Sequence, residues 1–204
     1  MSAPACSPTR RPRILMLNAS LAGDTGNTAA LLDHLAAWLT PHAELNRLTL
    51  ATTPGFAACQ PALAAADALV IATGTHWDSW SSHLQRFLEE ATPAEGTALW
   101  LGKPAACVVS EHSVGGKGVL SRLQGVLLTL GCSLPPMSGL VLSLAAQTAA
   151  RHDATPAEDF WCAEDLAVVA HNLLAAAAQA HNTPAAWQTW PVDRTGFDRR
   201  WFQV

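Results

Sequence analysis

At 204 residues, half of them hydrophobic and only 14% charged, the chain is long and apolar enough for one globular domain with a full core, which excludes a disordered protein. A formal net charge of -4, with lysines and arginines neither abundant nor clustered, argues against a nucleic-acid or anionic-membrane partner and points to a small molecule. The cysteines Cys6, Cys59, Cys107, Cys132 and Cys162 are odd in number and never spaced Cys-x-x-Cys, so they suggest a reducing cytoplasm and neither a disulfide framework nor a metal site.

Strand and helix signals alternate along the chain, the pattern of a parallel sheet covered by helices. Residues 15–18 read as the first strand. Asn18 ends the apolar stretch after Leu17, so no secretion signal is expected. Residues 26–39 follow as a helix, with Leu31, Leu32, Leu35, Trp38 and Leu39 at helical spacing and Pro41 closing it. Residues 43–50 alternate as a second strand and residues 60–66 form a short helix. The continuous apolar run of residues 68–72 is the central third strand, buried on both faces. A polar and aromatic loop over residues 73–82 leads into a helix carrying Leu84, Phe87 and Leu88. Residues 104–110 are the fourth strand, residues 119–130 a helix stopped by Gly131, and residues 140–144 the fifth strand. The last helix is placed at residues 156–180, with Pro156 in its first turn. No run is long enough to span a bilayer.

This divides the chain into a flexible start (residues 1–12), one domain (13–181) and a tail (182–204). The tail holds Pro184, Trp187, Trp190, Pro191, Phe197, Trp201 and Phe202, and is expected to pack on the domain, on a second subunit or at the edge of the site.

In an open parallel sheet, ligands sit outside the carboxyl ends of the strands where the strand order reverses. The loops after strands one, three and four are also those of unusual composition. The first, residues 18–28, passes from strand through Asn, Ser, Gly and Thr into a helix, gathering free N–H groups and hydroxyls as an anion requires. It lacks the Gly-Lys-Ser/Thr of a Walker A loop and the Gly-x-Gly-x-x-Gly of a dinucleotide fold. The second offers an imidazole and two indoles, and the third, residues 110–118, glycines that let backbone approach a flat ligand. A phosphate beside an aromatic and glycine-lined slot describes a flavin mononucleotide site. Each loop also has a plainer reading: Ser20, Asn27 and Thr28 as helix caps, Trp77 and Trp80 as surface aromatics, Gly115 to Gly118 as a flexible turn. His76 and His83 flank Asp78, but single-site zinc takes three or four ligands, so no metal is expected.

Asn18-Ala19-Ser20 followed by Gly26-Asn27-Thr28 resembles the phosphate loop of the flavodoxin-like NADPH-dependent FMN reductase family, which reads Asn-Gly-Ser and then Gly-Asn-Thr. Thr73-Gly74-Thr75-His76-Trp77-Asp78-Ser79 aligns without gaps on that family's Thr-Pro-x-Tyr-Trp-Gly-Ser loop, and Gly115-Gly116 stands where the family has Gly-Gly. The resemblance covers roughly residues 13–180. It implies an α/β protein with a flavodoxin-like three-layer α/β/α sandwich and a five-stranded parallel sheet. It implies FMN as cofactor, NADPH or NADH as reductant, and hydride transfer through the flavin to a small quinone, nitro, azo or flavin acceptor. Ser20, Gly26, Asn27 and Thr28 would anchor the phosphate. Thr75, His76, Trp77, Asp78, Ser79, Ser110, Glu111, Gly115 and Gly116 would wall the ring, with His76 as candidate proton donor to the acceptor. A homodimer or homotetramer is implied as well. The departures are Gly74 for proline, His76 for tyrosine, and Leu21-Ala22 where many relatives have Pro-Arg, which leaves the phosphate to neutral donors beside Asp24. An electron-transfer flavodoxin and a flavin-free interaction module remain as alternatives.

Overall fold

A computed structural model describes residues 10–152, 161–182 and 185–191. The strands are β1 (Arg13–Asn18), β2 (Glu44–Thr49), β3 (Ala68–Gly74), β4 (Ala105–Glu111) and β5 (Gly139–Ser143). The helices are α1 (Asn27–Leu39), α2 (Gly55–Ala65), α3 (Ser82–Ala91), α4 (Gly116–Leu130), α5 (Leu144–His152) and α6 (Leu166–Asn182). All strand pairs are parallel, in the order β2-β1-β3-β4-β5. That is the flavodoxin-like order, with its topological switch between β1 and β3.

Alternation along the strands divides the core in two. Leu15, Leu17, Leu69 and Ile71 face the layer of α2, α3 and α4, where the rings of Phe56, Phe87 and Trp100 pack with centroids 5.5 to 6.2 Å apart, Phe56 on Trp100 stacked and Phe87 edge-on to both. Ile14, Met16, Val70 and Ala72 face α1 and α6. The expected three-layer α/β/α sandwich is therefore the architecture found. Being buried on both faces, β3 is apolar at nearly every position.

Four helix boundaries depart from the sequence reading. α2 begins at Gly55, five residues early, because Gly55 adopts φ +78 and the Glu90 carboxylate accepts from Phe56 N at 2.7 Å; Pro61 lies inside the helix. α4 begins at Gly116, before residue 119, because the Glu111 carboxylate caps Gly116 N. α5 was not expected; it follows β5 without a loop, started by Ser143 Oγ accepting from Ala146 N at 3.3 Å. α6 begins at Leu166, after a short 3-10 turn in which Asp165 accepts from Cys162 N at 2.8 Å; Pro156 lies outside the described residues.

The amino end of the sheet is closed by polar contacts. Arg10 donates to both Asp67 carboxylate oxygens at 2.8 Å, and Arg13 N to one of them at 2.7 Å. Arg11 donates to the carbonyls of Thr40 and Ala43, where α1 ends. Residues 185–191 lie at the same end: Trp190 Nε1 donates to Glu95 at 2.7 Å, and Trp187 covers Gly102 so closely that a β-carbon there would come within 2.4 Å of it. Pro184, Phe197, Trp201 and Phe202 lie outside the described residues, as does Cys6.

Burial raises the Asp67 pKa, but the Arg13 amide and the Arg10 guanidinium outweigh it and hold the carboxyl below its ordinary value. A carboxyl lowered on folding contributes stability that is complete above its unfolded pKa and is lost as pH falls through the folded one. Asp67→Asn should therefore be less stable than wild type near neutrality. The gap should be constant above about pH 5 in urea melts and narrow as pH falls below the unfolded Asp pKa of about 3.9. A gap independent of pH would contradict the assignment. Cys59, Cys107 and Cys132 are buried and free, and burial pushes the Cys132 thiol up to about 12. They behave as small hydrophobes.

Candidate functional site

The first loop is organised by Asn18, the last residue of β1, which is fully buried. Its Oδ1 accepts from Ser20 N at 3.1 Å, while its Nδ2 donates to Gly23 O at 2.9 Å and to Asp24 at 3.2 Å. Ser20 Oγ in turn accepts from Ala22 N at 3.2 Å. The chain then enters α1 at Gly26, whose extended backbone carries no side-chain cap. The first N–H groups of a helix have no intrahelical partner and collect the positive end of its dipole. A β-carbon on Gly26 would lie 2.8 Å from Ala22 Cβ and 2.9 Å from Ser20 Oγ, so only glycine leaves this cradle open. Asp24 faces away toward β2. The Thr49 hydroxyl at 2.6 Å, helped by Asn18 and by Arg47 at 3.7 Å, holds its carboxyl below the ordinary value. The cation missing from the loop sequence is supplied from β2, and it meets Asp24.

The second loop leaves β3 at Gly74 and is fixed from below by Ser81. That side chain donates to Ala19 O and caps α3 by accepting from Leu84 N at 3.2 Å, while Ser81 N donates to Thr73 Oγ1 at 3.1 Å. Residues 76–79 form a tight turn: His76 N to Ser79 O is 2.7 Å and Ser79 N to His76 O is 2.9 Å. Its two central residues, Trp77 at φ 50 and Asp78 at φ 56, are both left-handed, as a two-residue hairpin of the right twist demands. Asp tolerates this conformation better than most residues, which explains how it stands in the position of the family's glycine. Arg122 of α4 donates to Asp78 O and covers the Trp80 ring at 5.4 Å, pinning the turn. The His76 imidazole lies over Gly74, with Nε2 only 3.1 Å from where a β-carbon would stand. The two departures from the Pro and Tyr pattern thus share one space.

The third loop begins at Ser110, whose Oγ is 2.8 Å from Thr28 Oγ1 and ties the end of β4 to the start of α1. Beyond Glu111 the chain turns through Gly115, at φ +94, where a β-carbon would stand 2.2 Å from the Asp78 carboxylate. A β-carbon on Gly116 would meet Val141 at 2.4 Å and Glu111 at 2.7 Å.

These loops enclose a cleft of about 450 Å³ at the carboxyl end of the sheet, within the size range of small-ligand sites. It brings together Ser20, Gly26, Asn27, Thr28, Thr75, His76, Ser110 and Glu111 from the sequence reading. Trp77, Asp78 and Ser79 form the turn beyond it, with Trp77 fully exposed, and Gly115 and Gly116 stand behind Glu111. Leu21, Ala22, Thr25, Gly74, His112 and Leu144 also line it. Leu144 could not be anticipated without α5, whereas His112, beside Glu111 in the third loop, could be read from sequence either as part of a solvated loop or as a hydrogen-bonding group for the ring or a substrate. A larger groove, about 730 Å³, lies between α2 and residues 90–99, and its lining is mainly apolar.

The donors suit FMN. Helix N–H groups and hydroxyls converge for a phosphate, and the buried Thr75 Oγ1 has no hydrogen-bond partner among the described residues, leaving a polar atom for a ligand. Among the described residues no lysine or arginine lines the cleft. Among the described residues no group of three His, Cys, Asp or Glu side chains is arranged to hold a metal, and no helix is long and apolar enough to cross a membrane.

A family model described as NADPH-dependent FMN reductase matches residues 12–147. No curated protein matches the chain in sequence. Among solved structures, the chain is similar to RosB with a bound 8-demethyl-8-formylriboflavin-5'-phosphate intermediate (16% identity, 94% of this chain and 96% of that one, TM-score 0.64). It is similar to the NAD(P)H:(acceptor) oxidoreductase FerB of Paracoccus denitrificans (17% identity, 82% and 98%, TM-score 0.63). It also resembles an oxidoreductase of Corynebacterium diphtheriae (16% identity, 82% and 97%, TM-score 0.63). At these identities the structural likeness speaks for the fold.

Proposed function

We propose, since this chain belongs to the NADPH-dependent FMN reductase family, that its cleft binds FMN and that the protein is an NAD(P)H-dependent oxidoreductase acting on a small quinone, nitro, azo or flavin acceptor. The observation that carries this reading is the convergence, in one cleft, of the open α1 N-terminus with Thr75, His76, Ser110 and Glu111. FMN held here would supply the hydride chemistry between NADPH or NADH and the acceptor.

The chain's own residues bind, orient and shield. The N–H groups of Gly26, Asn27 and Thr28, with the Ser20 hydroxyl, hold the phosphate; the dipole adds about 0.3–1 kcal/mol per interaction at such a terminus. Thr28 and Ser110 keep the phosphate end and the ring end in one register through their mutual hydrogen bond. Thr75 Oγ1 is a free hydrogen-bonding atom for the ring, and Trp77, Asp78, Ser79, Gly115 and Gly116 form its outer wall. His76, which lines the cleft, is our candidate proton donor to the acceptor, which would enter after the nicotinamide leaves. The exposed Leu21, Trp77, Val114 and Leu144 around the mouth support a homodimer or homotetramer that covers it. Free cysteines suit a reducing cytoplasm.

The test is a visible spectrum after soaking in FMN and removing the excess, repeated anaerobically with NADPH and with NADH. A retained flavin band that bleaches with a nicotinamide is the expected result. A band that bleaches only with dithionite would make the protein an electron carrier, and absence of any band would remove the flavin from its function.

A further inference from the structure

Glu111 is a carboxylate with an unusual place in the cleft. It is half-buried at the end of β4, lines the cleft, and accepts from Gly116 N. Among the described residues it has no ion pair. The cations nearby in sequence are engaged elsewhere: Lys117 lies over the Trp161 ring at 5.0 Å, and Arg122 donates to the carbonyls of Asp78 and Gly118. A second carboxylate, Asp78, lies against Gly115, next to the Gly116 that Glu111 contacts. His76 and His112 are the remaining titratable groups of the lining.

Hydride transfer adds charge here. NADPH and oxidised FMN become NADP⁺ and singly protonated reduced FMN; both electrons and the one proton of the hydride pass to the ring, which gains one negative charge. A fixed carboxylate without a counter-cation, partly removed from water, repels that new charge more than it perturbs the neutral oxidised ring. We infer that Glu111 biases the site against reduced FMN, so that the flavin is released or reoxidised readily and bound FMN has a lower potential than free FMN. The inference rests on the flavin-binding reading above. By linkage, the ratio of affinities for the two redox forms and the shift in potential are one quantity. A tenfold ratio in a two-electron couple equals about 30 mV.

Glu111→Gln removes the charge and keeps an oxygen to accept from Gly116 N. Dissociation constants for oxidised and for dithionite-reduced FMN, with the midpoint potential, are measured on the full chain for wild type and variant. Wild type is expected to bind reduced FMN at least tenfold more weakly than oxidised FMN, and Glu111→Gln to bring the ratio close to one and raise the potential by about 30 mV. In wild type itself, raising the salt concentration is expected to narrow the ratio, which tests the charge without any substitution. A ratio that neither change moves would overturn the inference. So would equal tightening of both forms in Glu111→Gln, since that would limit Glu111 to competing for Gly116 N. Wild type that binds neither form would instead overturn the flavin reading itself.

Discussion

Gly26→Ala is expected to lower FMN affinity by roughly 30- to 100-fold while leaving the fold intact. At Gly26 the backbone is extended at φ -92, a conformation alanine adopts freely, so the effect is one of space and not of strain. The new β-carbon would meet Ala22 Cβ at 2.8 Å and Ser20 Oγ at 2.9 Å, and neither is the end of a long flexible side chain. The loop must open, and the N–H groups of α1 then no longer converge with the Ser20 hydroxyl. Losing one charge-assisted hydrogen bond, at about 1.5–3 kcal/mol, corresponds to roughly 10- to 150-fold, which brackets the stated range. Fluorescence titration with FMN reads the effect. The control is Gly125→Ala on α4, where nothing lies within 4 Å of the added atom and affinity should be unchanged. Wild-type affinity in Gly26→Ala would mean that the phosphate does not sit at this helix start.

Asn18→Ala is expected to have the largest combined effect, on stability and on binding. The side chain is fully buried and makes three hydrogen bonds, to Ser20 N, Gly23 O and Asp24. Alanine leaves buried backbone groups without partners, at about 1–3 kcal/mol each. A net loss of about 2–3 kcal/mol would lower the melting temperature by roughly 5–10 °C in a domain of this size. Because the same bonds shape the loop, FMN affinity should fall at least tenfold at temperatures where the variant is fully folded. Melting followed by circular dichroism, with and without FMN, separates the two effects. A variant that melts like wild type would remove Asn18 as the organiser of the loop.

What the sequence made legible follows from where the information is local. The runs at residues 68–72 and 14–17 are apolar because both sheet faces are covered, and such runs declare themselves. The cleft's edges were legible for the same reason: Ser20, Thr75 and Ser110 lie at or within two residues of strand ends, and in a parallel sheet the carboxyl ends of the strands share one side. α5 was not legible, because Ser143 serves both as the last residue of β5 and as the cap of the helix, with no breaker between. The start of α6 was misread because a proline suggests a first turn from sequence alone, whereas the helix is started by Asp165 reaching back to Cys162 N. The balance of charge in the first loop was hidden for another reason. Arg47 lies far along the chain from Asp24, and only the pairing of β1 with β2, which sets Met16 beside Arg47, brings them together. The pinning of the 76–79 turn by Arg122 is likewise a contact across the fold.

The amino end of the sheet, closed by Arg10, Arg11, Asp67 and the segment bearing Trp187 and Trp190, lies opposite the cleft. At the cleft, Leu21, Asn27, His112 and Leu144 are exposed, and exposed substitutions usually change stability by no more than about 0.5 kcal/mol. Selectivity and durability are thus separable traits in this chain. Selection, in nature or in the laboratory, can run through many combinations at these exposed cleft positions before it meets the stability threshold, provided that Asn18 and Gly26 stay fixed.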